Sequence, residues 1–270
     1  MAAGALSGAR AIARLAGLLF LMTASANAAP PEIVNELAPG GRLRAAINYG
    51  NPVLAQRNAA GELSGVSVDL ARALGARLGV PVDLVPYDTA GKVPEAAKSG
   101  AWDIAFLAVD PVRADVIAFT APYVLIEGTY LVPKDSALRT IEDVDREGVR
   151  IAVGARSAYD LYLTRAIKRA QLVRAPTSEA AVDLFVRDKL EAAAGVKQPI
   201  VAYAAANPQY RAIEGRFMVI EQAMATPKGR DAGLAYLRAF VEEMKASGFV
   251  ADALRRSNQP DAAVAPAAPR

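Results

Sequence analysis

The chain has 270 residues, 53% of them apolar, and its 31 Lys and Arg against 28 Asp and Glu leave a formal charge of +3. At ~100–200 residues per domain it can bury one large core or two modest ones, and its charge is too nearly balanced to hold nucleic acid. It contains no Cys and no His, which excludes disulfide scaffolds, iron–sulfur clusters, thiolate zinc sites and every Ser-His or Cys-His catalytic arrangement. Only carboxylates, Lys and Tyr remain for acid-base work, so a binding protein without cofactor or metal is expected rather than an enzyme.

The first 28 residues read as a secretory signal. Arg10 and Arg14 form a positive start, Leu15 to Met22 an apolar run, and Ala26-Asn27-Ala28 a small-residue cleavage site. The run is well short of the ~20 residues that span a bilayer. Removal of the leader takes the formal charge to +1. No second hydrophobic span follows and no Cys is available for a lipid anchor, so a soluble periplasmic protein is expected.

Leu43 to Ile47 is strand-like and runs into Tyr49-Gly50-Asn51-Pro52, which is turn chemistry, and Asn58 to Gly61 forms a second turn. Val66, Leu70, Leu74 and Leu78 recur every four residues, predicting an amphipathic helix stopped by Gly79. Val82 to Val85 supplies the next strand, completing a βαβ unit with a parallel sheet. A helix over Gly91 to Ser99, a buried strand at Ile104 to Val109, and strand-like runs at Val116 to Phe119 and Tyr130 to Val132 continue the alternation.

Near Lys134 to Ala137 the pattern starts again. Ile141 to Val144 forms a helical turn, Val149 to Val153 an apolar strand, and Ser157-Ala158-Tyr159-Asp160 a capping-box start for a helix. Thr177 or Ser178 caps a further helix with Ala181, Leu184 and Phe185 facing inward, followed by strands at Leu190 to Ala194 and Phe217 to Ile220. Leu234, Leu237, Phe240, Val241 and Met244 trace one face of a late helix. From Gln259 the Pro and Ala tail has nothing to pack, and disorder over 259–270 is expected.

Three segments carry a resemblance. Gly61-Glu62-Leu63-Ser64-Gly65-Val66-Ser67-Val68-Asp69-Leu70, then Ala101-Trp102-Asp103-Ile104-Ala105, and above all Asp110-Pro111-Val112-Arg113-Ala114 with Ile117-Ala118-Phe119-Thr120-Ala121-Pro122-Tyr123 resemble motifs of family 3 of the bacterial extracellular solute-binding proteins. In the third segment the spacing is kept residue for residue, and the likeness runs from about Leu43 to Ser257. The resemblance implies an α/β fold of the type II periplasmic binding protein kind. It has two lobes, each a mostly parallel sheet flanked by helices, joined by two hinge strands and closing on a ligand. It places lobe 1 at 29–132 with a return over 226–258, lobe 2 at 133–225, and the hinge near Val132 to Asp135 and Gln222 to Pro227. It further implies a monomer that delivers its ligand to an ABC transporter permease.

Carried onto this chain, the resemblance makes Arg113 the residue that holds a ligand carboxylate, a task suited to a planar fork of donors; from its position alone it reads as a surface cation in a salt bridge with Asp110 or Asp115. Ser157 follows, either as an anion site at a helix N-terminus or as a plain cap. Tyr49, Asn51 and Thr89 fall where relatives place ligand contacts, or else serve the turns and rim. Tyr123 and Trp102 read as core.

Two departures bear on the ligand. Ala108 stands where amino-acid binders keep a hydroxyl, with Phe106 two residues earlier. Val196, followed by Lys197 and Gln198, stands where they keep an acid for the ligand's ammonium. A buried unpaired ammonium costs several kcal/mol, so an organic anion or an atypical amino acid is expected, with Lys197 and Gln198 beside it unless Lys197 is a solvated loop residue or Glu127 restores an acid. Two rivals remain: a cyclohexadienyl dehydratase-like enzyme, with Glu127 or Glu221 as its acid, and a sensor that docks on a membrane receptor.

Overall fold

Residues 29–269 are described in a computed structural model of the chain; the expected signal sequence lies outside them. A short helix, α1 (Pro31–Leu37), precedes β1 (Leu43–Asn48). The Asn58 to Gly61 turn closes a small hairpin of β2 (Gln56–Arg57) and β3 (Leu63–Ser64). α2 (Val66–Leu78) buries Val66, Leu70, Leu74 and Leu78 as the periodicity requires, and Gly79 ends it in the left-handed conformation. After β4 (Val82–Tyr87), α3 (Lys92–Ala97) and β5 (Ile104–Ala108), the strand β1 lies between β4 and β5, parallel to both. Every residue of β5 is buried, as an apolar strand covered on both faces should be.

The second α/β unit is built the same way from β7 (Arg150–Gly154), α4 (Ala158–Ala166), β8 (Gln171–Ala175), α5 (Ser178–Arg187), β9 (Ala192–Val196) and α6 (Lys197–Ala206). Between the two units runs β6 (Ile117–Pro133), a single 17-residue strand where the sequence suggested two separate runs. Pro122 and Gly128 interrupt the pattern in sequence, yet Pro122 sits beside an irregularity in the pairing, where a missing N–H is tolerated.

The remainder is β10 (Tyr210–Ala212), β11 (Met218–Pro227), α7 (Asp231–Ala246), α8 (Phe249–Arg256) and β12 (Ala263–Val264). The main sheet reads β4-β1-β5-β11-β6-β9-β7-β8. Two parallel lobes, β4-β1-β5 and β9-β7-β8, are thus joined through the antiparallel pair β11 and β6. Strand β11 pairs with β5 over Gln222 to Ala225, and β6 pairs with β9 over Gly128 to Leu131. The partner change therefore falls at Val124 to Gly128 and Met218 to Gln222. The expected crossing at 132–135 lies several residues beyond the first segment, and that at 222–227 begins where the second one ends; a strand that runs unbroken through a hinge carries no turn residues to mark the place.

The tail expected to be disordered takes a defined course. β12 adds to β6 at Leu125 and Val124, Ala262 and Ala265 are buried, and Lys245 Nζ donates to the Pro266 carbonyl at 2.8 Å. Alanine methyls are small enough to lie along a sheet edge, a partner that composition alone does not reveal.

The recurring motifs have structural reasons. Fully buried Asp103 accepts from Arg44 at 2.8 and 2.9 Å and from Arg230 at 3.1 Å, tying β1 and the start of α7 to β5. Trp102 donates its indole N–H to the Val93 carbonyl at 2.9 Å, and the Tyr123 hydroxyl meets Ser67 Oγ at 3.2 Å. Both are core residues, as expected. Among the described residues no helix is long and apolar enough to cross a membrane.

Candidate functional site: a cleft between the lobes

A cleft of about 520 Å³ opens between the lobes, within the ~300–1,000 Å³ range of small-molecule sites. It is lined by loops at the carboxyl ends of the parallel strands: those after β1, β4 and β5 on one side, and those after β7, β8 and β9 on the other. Open α/β sheets place ligands at this position.

Arg113 lies in a single helical turn after β5 and is 3% exposed, with its side chain in the cleft lining. One terminal nitrogen donates to the Ala108 carbonyl at 2.9 Å and the other to the Arg156 carbonyl at 3.1 Å. Two of its five N–H donors are thereby used, leaving three for a ligand. Asp110, three residues before it, is bonded instead to Arg165 at 2.8 Å. Burial lowers the Arg113 pKa to about 10, with only a long-range contribution from Asp110 opposing the drop, and the group stays cationic at neutral pH. The cleft therefore holds a desolvated cation whose hydrogen-bonding partners are neutral carbonyls.

Ser157 faces it from the other lobe. Its Oγ accepts from the Asp160 N–H at 3.0 Å, capping α4, while the buried Asp160 carboxylate reaches back to the Arg156 N–H at 2.7 Å. The Ser157 half of a capping box is present, with Asp160 reaching to Arg156, one residue before the cap, and Ser157 still lines the cleft. Arg156 is held at φ 57, a left-handed conformation uncommon for a side-chain-bearing residue. Its N–H is tied to Asp160, its carbonyl to Arg113 and its guanidinium to Glu95.

These contacts bring the two lobes together. Arg113 to the Arg156 carbonyl, Arg156 to Glu95 and Arg165 to Asp110 each join one lobe to the other. Ion pairs open to water contribute ~0.2–1 kcal/mol, and Arg165 is 45% exposed. Asp110→Asn is therefore expected to weaken ligand affinity by at most about fivefold and to raise the radius of gyration of the ligand-free protein in small-angle scattering.

Tyr49, Asn51, Thr89 and Ala108 all line the cleft. Lys197 and Gln198 do not. Lys197 opens α6 and turns away to bond Glu127 at 2.7 Å, and the Gln198 side chain likewise lies outside the lining. Val196 does reach the cleft, so the position expected to lack an acid is occupied by an apolar side chain.

The acids named for a dehydratase are also elsewhere. Glu127 is bonded to both Lys197 and Arg216, which hold its pKa below the usual glutamate range, the reverse of what a general acid needs. Neither Glu127 nor Glu221 lines the cleft. No group of three or more metal-ligating side chains occurs among the described residues.

Sequence reasoning missed Glu179 and Asp183 on α5, Tyr203 on α6 and Gln222 on β11, all of which line the cleft. The available signal was their place just beyond strand ends, together with the register that sets Gln222 beside Ala108.

Similar structures are known. A mutant of ArgBP from T. maritima is 23% identical, superposes with a TM-score of 0.72, and aligns over 84% of this chain and 99% of its own. An ancestral amino acid-binding protein, a precursor of cyclohexadienyl dehydratase, is 24% identical with a TM-score of 0.70 over 83% of this chain and 98% of its own. A putative binding component of an ABC transporter from Wolinella succinogenes, complexed with lysine, is 22% identical with a TM-score of 0.71 over 80% of this chain and 95% of its own. At such identities the likeness establishes the fold, a two-lobed type II periplasmic binding protein, and leaves the ligand to this chain's own residues. No curated protein sequence matches the chain. The motifs, the two lobes and a family profile that matches residues 43–257 agree: the chain belongs to the bacterial extracellular solute-binding proteins, family 3.

Proposed function

We propose that the protein captures a small carboxylate-bearing solute between its lobes in the periplasm and delivers it to an ABC transporter permease. The observation that carries this reading is Arg113, a buried cation in the cleft with three donors unused and no carboxylate bonded to it. Such a group is costly until an anion arrives, so a carboxylate supplied by the solute is the natural partner. Ser157 lies in the same lining and adds the hydroxyl at the start of α4 from the opposite lobe. One molecule can thus touch both lobes and hold them closed, which is the state a permease would recognise.

With Ala108 and Val196 in the lining, the hydroxyl and the acid that would receive an α-ammonium are missing, which supports an organic anion or an atypical amino acid. Titration calorimetry against matched carboxylate and amino-acid panels tests the reading, alongside native mass spectrometry of protein purified from its source. Binding of a carboxylate with a mass shift equal to one solute per chain is expected. Tight binding of ordinary α-amino acids in general would remove the organic-anion version, and a captured solute without any acid group would remove the proposal.

A further inference from the structure

We infer that the solute carries a cationic group remote from its carboxylate, received by Glu179 and Asp183 on α5 beside Tyr203, while Gln222 hydrogen-bonds the part of the solute nearest Arg113. This rests on the carboxylate reading above and adds the chemistry of the other end.

Glu179, Val182 and Asp183 lie on one face of α5, and that face lines the cleft. The two acids are one helical turn apart, a spacing at which like charges repel. Neither has an ion-pair partner within 4 Å among the described residues; Arg187, the next basic residue along the helix, is bonded to Asp188 at 2.7 Å and interacts with Asp183 only through space. Asp88, the third acid in the lining, is already bonded to Lys92 at 2.9 Å. The cleft lining thus holds one buried cation at Arg113 and, from the opposite lobe, two exposed carboxylates, of which Asp183 also feels the charge of Arg187. Asp183 is close enough to Tyr203 for its charge to help raise the phenol's pKa, after burial and Tyr210. An aromatic ring next to a carboxylate is a favourable setting for an ammonium or guanidinium.

Gln222 gives an independent sign of a ligand. It is 4% exposed and lines the cleft, and its side-chain amide, whose atoms still open onto the cleft, makes no hydrogen bond to a described residue. An amide that opens onto a cleft without a protein partner is available to a solute. The register sets Gln222 opposite Ala108 on the adjacent strand, next to the position where the expected hydroxyl is absent. An amide both donates and accepts, so it can meet a neutral polar group or the second carboxylate oxygen. With an apolar Val196 also in the lining, the charge distribution fits a carboxylate whose cation is several bonds away and does not fit an α-ammonium.

The test is calorimetry with ω-amino carboxylates from γ-aminobutyrate to ε-aminocaproate, each beside the unsubstituted carboxylate of the same length and the matching dicarboxylate. At least one amino carboxylate is expected to bind about tenfold or more tighter than both counterparts. Glu179→Gln combined with Asp183→Asn should bring it down to the level of the unsubstituted partner, and Gln222→Ala should weaken the whole series, with the melting temperature as the check on folding. Equal affinity across a matched set, or a preference that survives the double variant, overturns this inference and leaves the carboxylate reading intact. A protein that binds no member of the series and holds a solute without a carboxylate overturns both.

Discussion

Arg113→Met is expected to reduce affinity for a carboxylate solute by about 100-fold or more while leaving the ligand-free protein close to its original stability. The two effects separate because the guanidinium makes no bond to a protein carboxylate. In the empty protein it bears the cost of a buried charge against two carbonyl hydrogen bonds, at 2.9 and 3.1 Å. Such bonds contribute ~1 kcal/mol each, which is similar to or less than the desolvation that methionine, of comparable length, avoids. In the complex the balance differs. Charge-assisted bonds contribute ~1.5–3 kcal/mol, and the solute's oxygens would be left buried against a thioether with no donor. Arg113→Lys should fall between the two, since a point charge cannot reach the carbonyls of Ala108 and Arg156 and also grip a carboxylate. Calorimetry and thermal melts on the three proteins decide it, and retention of wild-type affinity in the methionine variant would remove Arg113 from the site.

The setting of Arg113 was only partly legible in the sequence. The motif around Arg113 named the residue, but not that Asp110 would be engaged by Arg165, a partner from the other lobe that no local pattern announces. Periodic segments were readable for a simple reason. Leu70, Leu74 and Leu78 repeat at the helical period, and the run from Ile104 to Ala108 is apolar on both faces. Lys197 was misplaced because a basic residue at a strand end can turn either way, and Glu127 on β6, distant in sequence, draws it out of the cleft.

Glu179 and Asp183 were passed over for the opposite reason. On α5 the inward face was read from Ala181, Leu184 and Phe185, and Ala181 and Phe185 are indeed buried whereas Leu184 is only half-buried. The acids on the remaining face look like ordinary solvated charges until the other lobe stands opposite them. Sequence periodicity reports which side of an element meets its own core and says nothing of what faces it across a cleft.

Gly65→Ala is expected to cost more than ~3 kcal/mol of stability, the upper end of the usual cost of one strained backbone position. At ~2–4 °C per kcal/mol for a chain of this size, that is a fall in melting temperature of roughly 6–12 °C or more. Gly65 has φ 119 and ψ 173, a conformation essentially reserved for glycine. A Cβ there would lie 2.5 Å from the Leu54 carbonyl oxygen and 2.9 Å from the Ala55 Cα, both backbone atoms that cannot rotate away. The Leu54 carbonyl also receives the Ser67 N–H at 3.1 Å, and the N–H groups of Leu54 and Ala55 both bond to the Asn51 carbonyl. Displacing Leu54 would therefore loosen the first turn of α2 and shift the Tyr49 to Pro52 loop that lines the cleft, so ligand affinity should fall along with stability. Gly79→Ala provides the contrast. Gly79 is also left-handed, at φ 70, but nothing lies within 4 Å of its would-be Cβ, and the cost should stay near ~1 kcal/mol with affinity unchanged. Urea and thermal melts of the two variants measure the difference. Equal losses would mean that backbone conformation alone sets the cost at Gly65, and that its contact with the loop beneath the cleft does not matter.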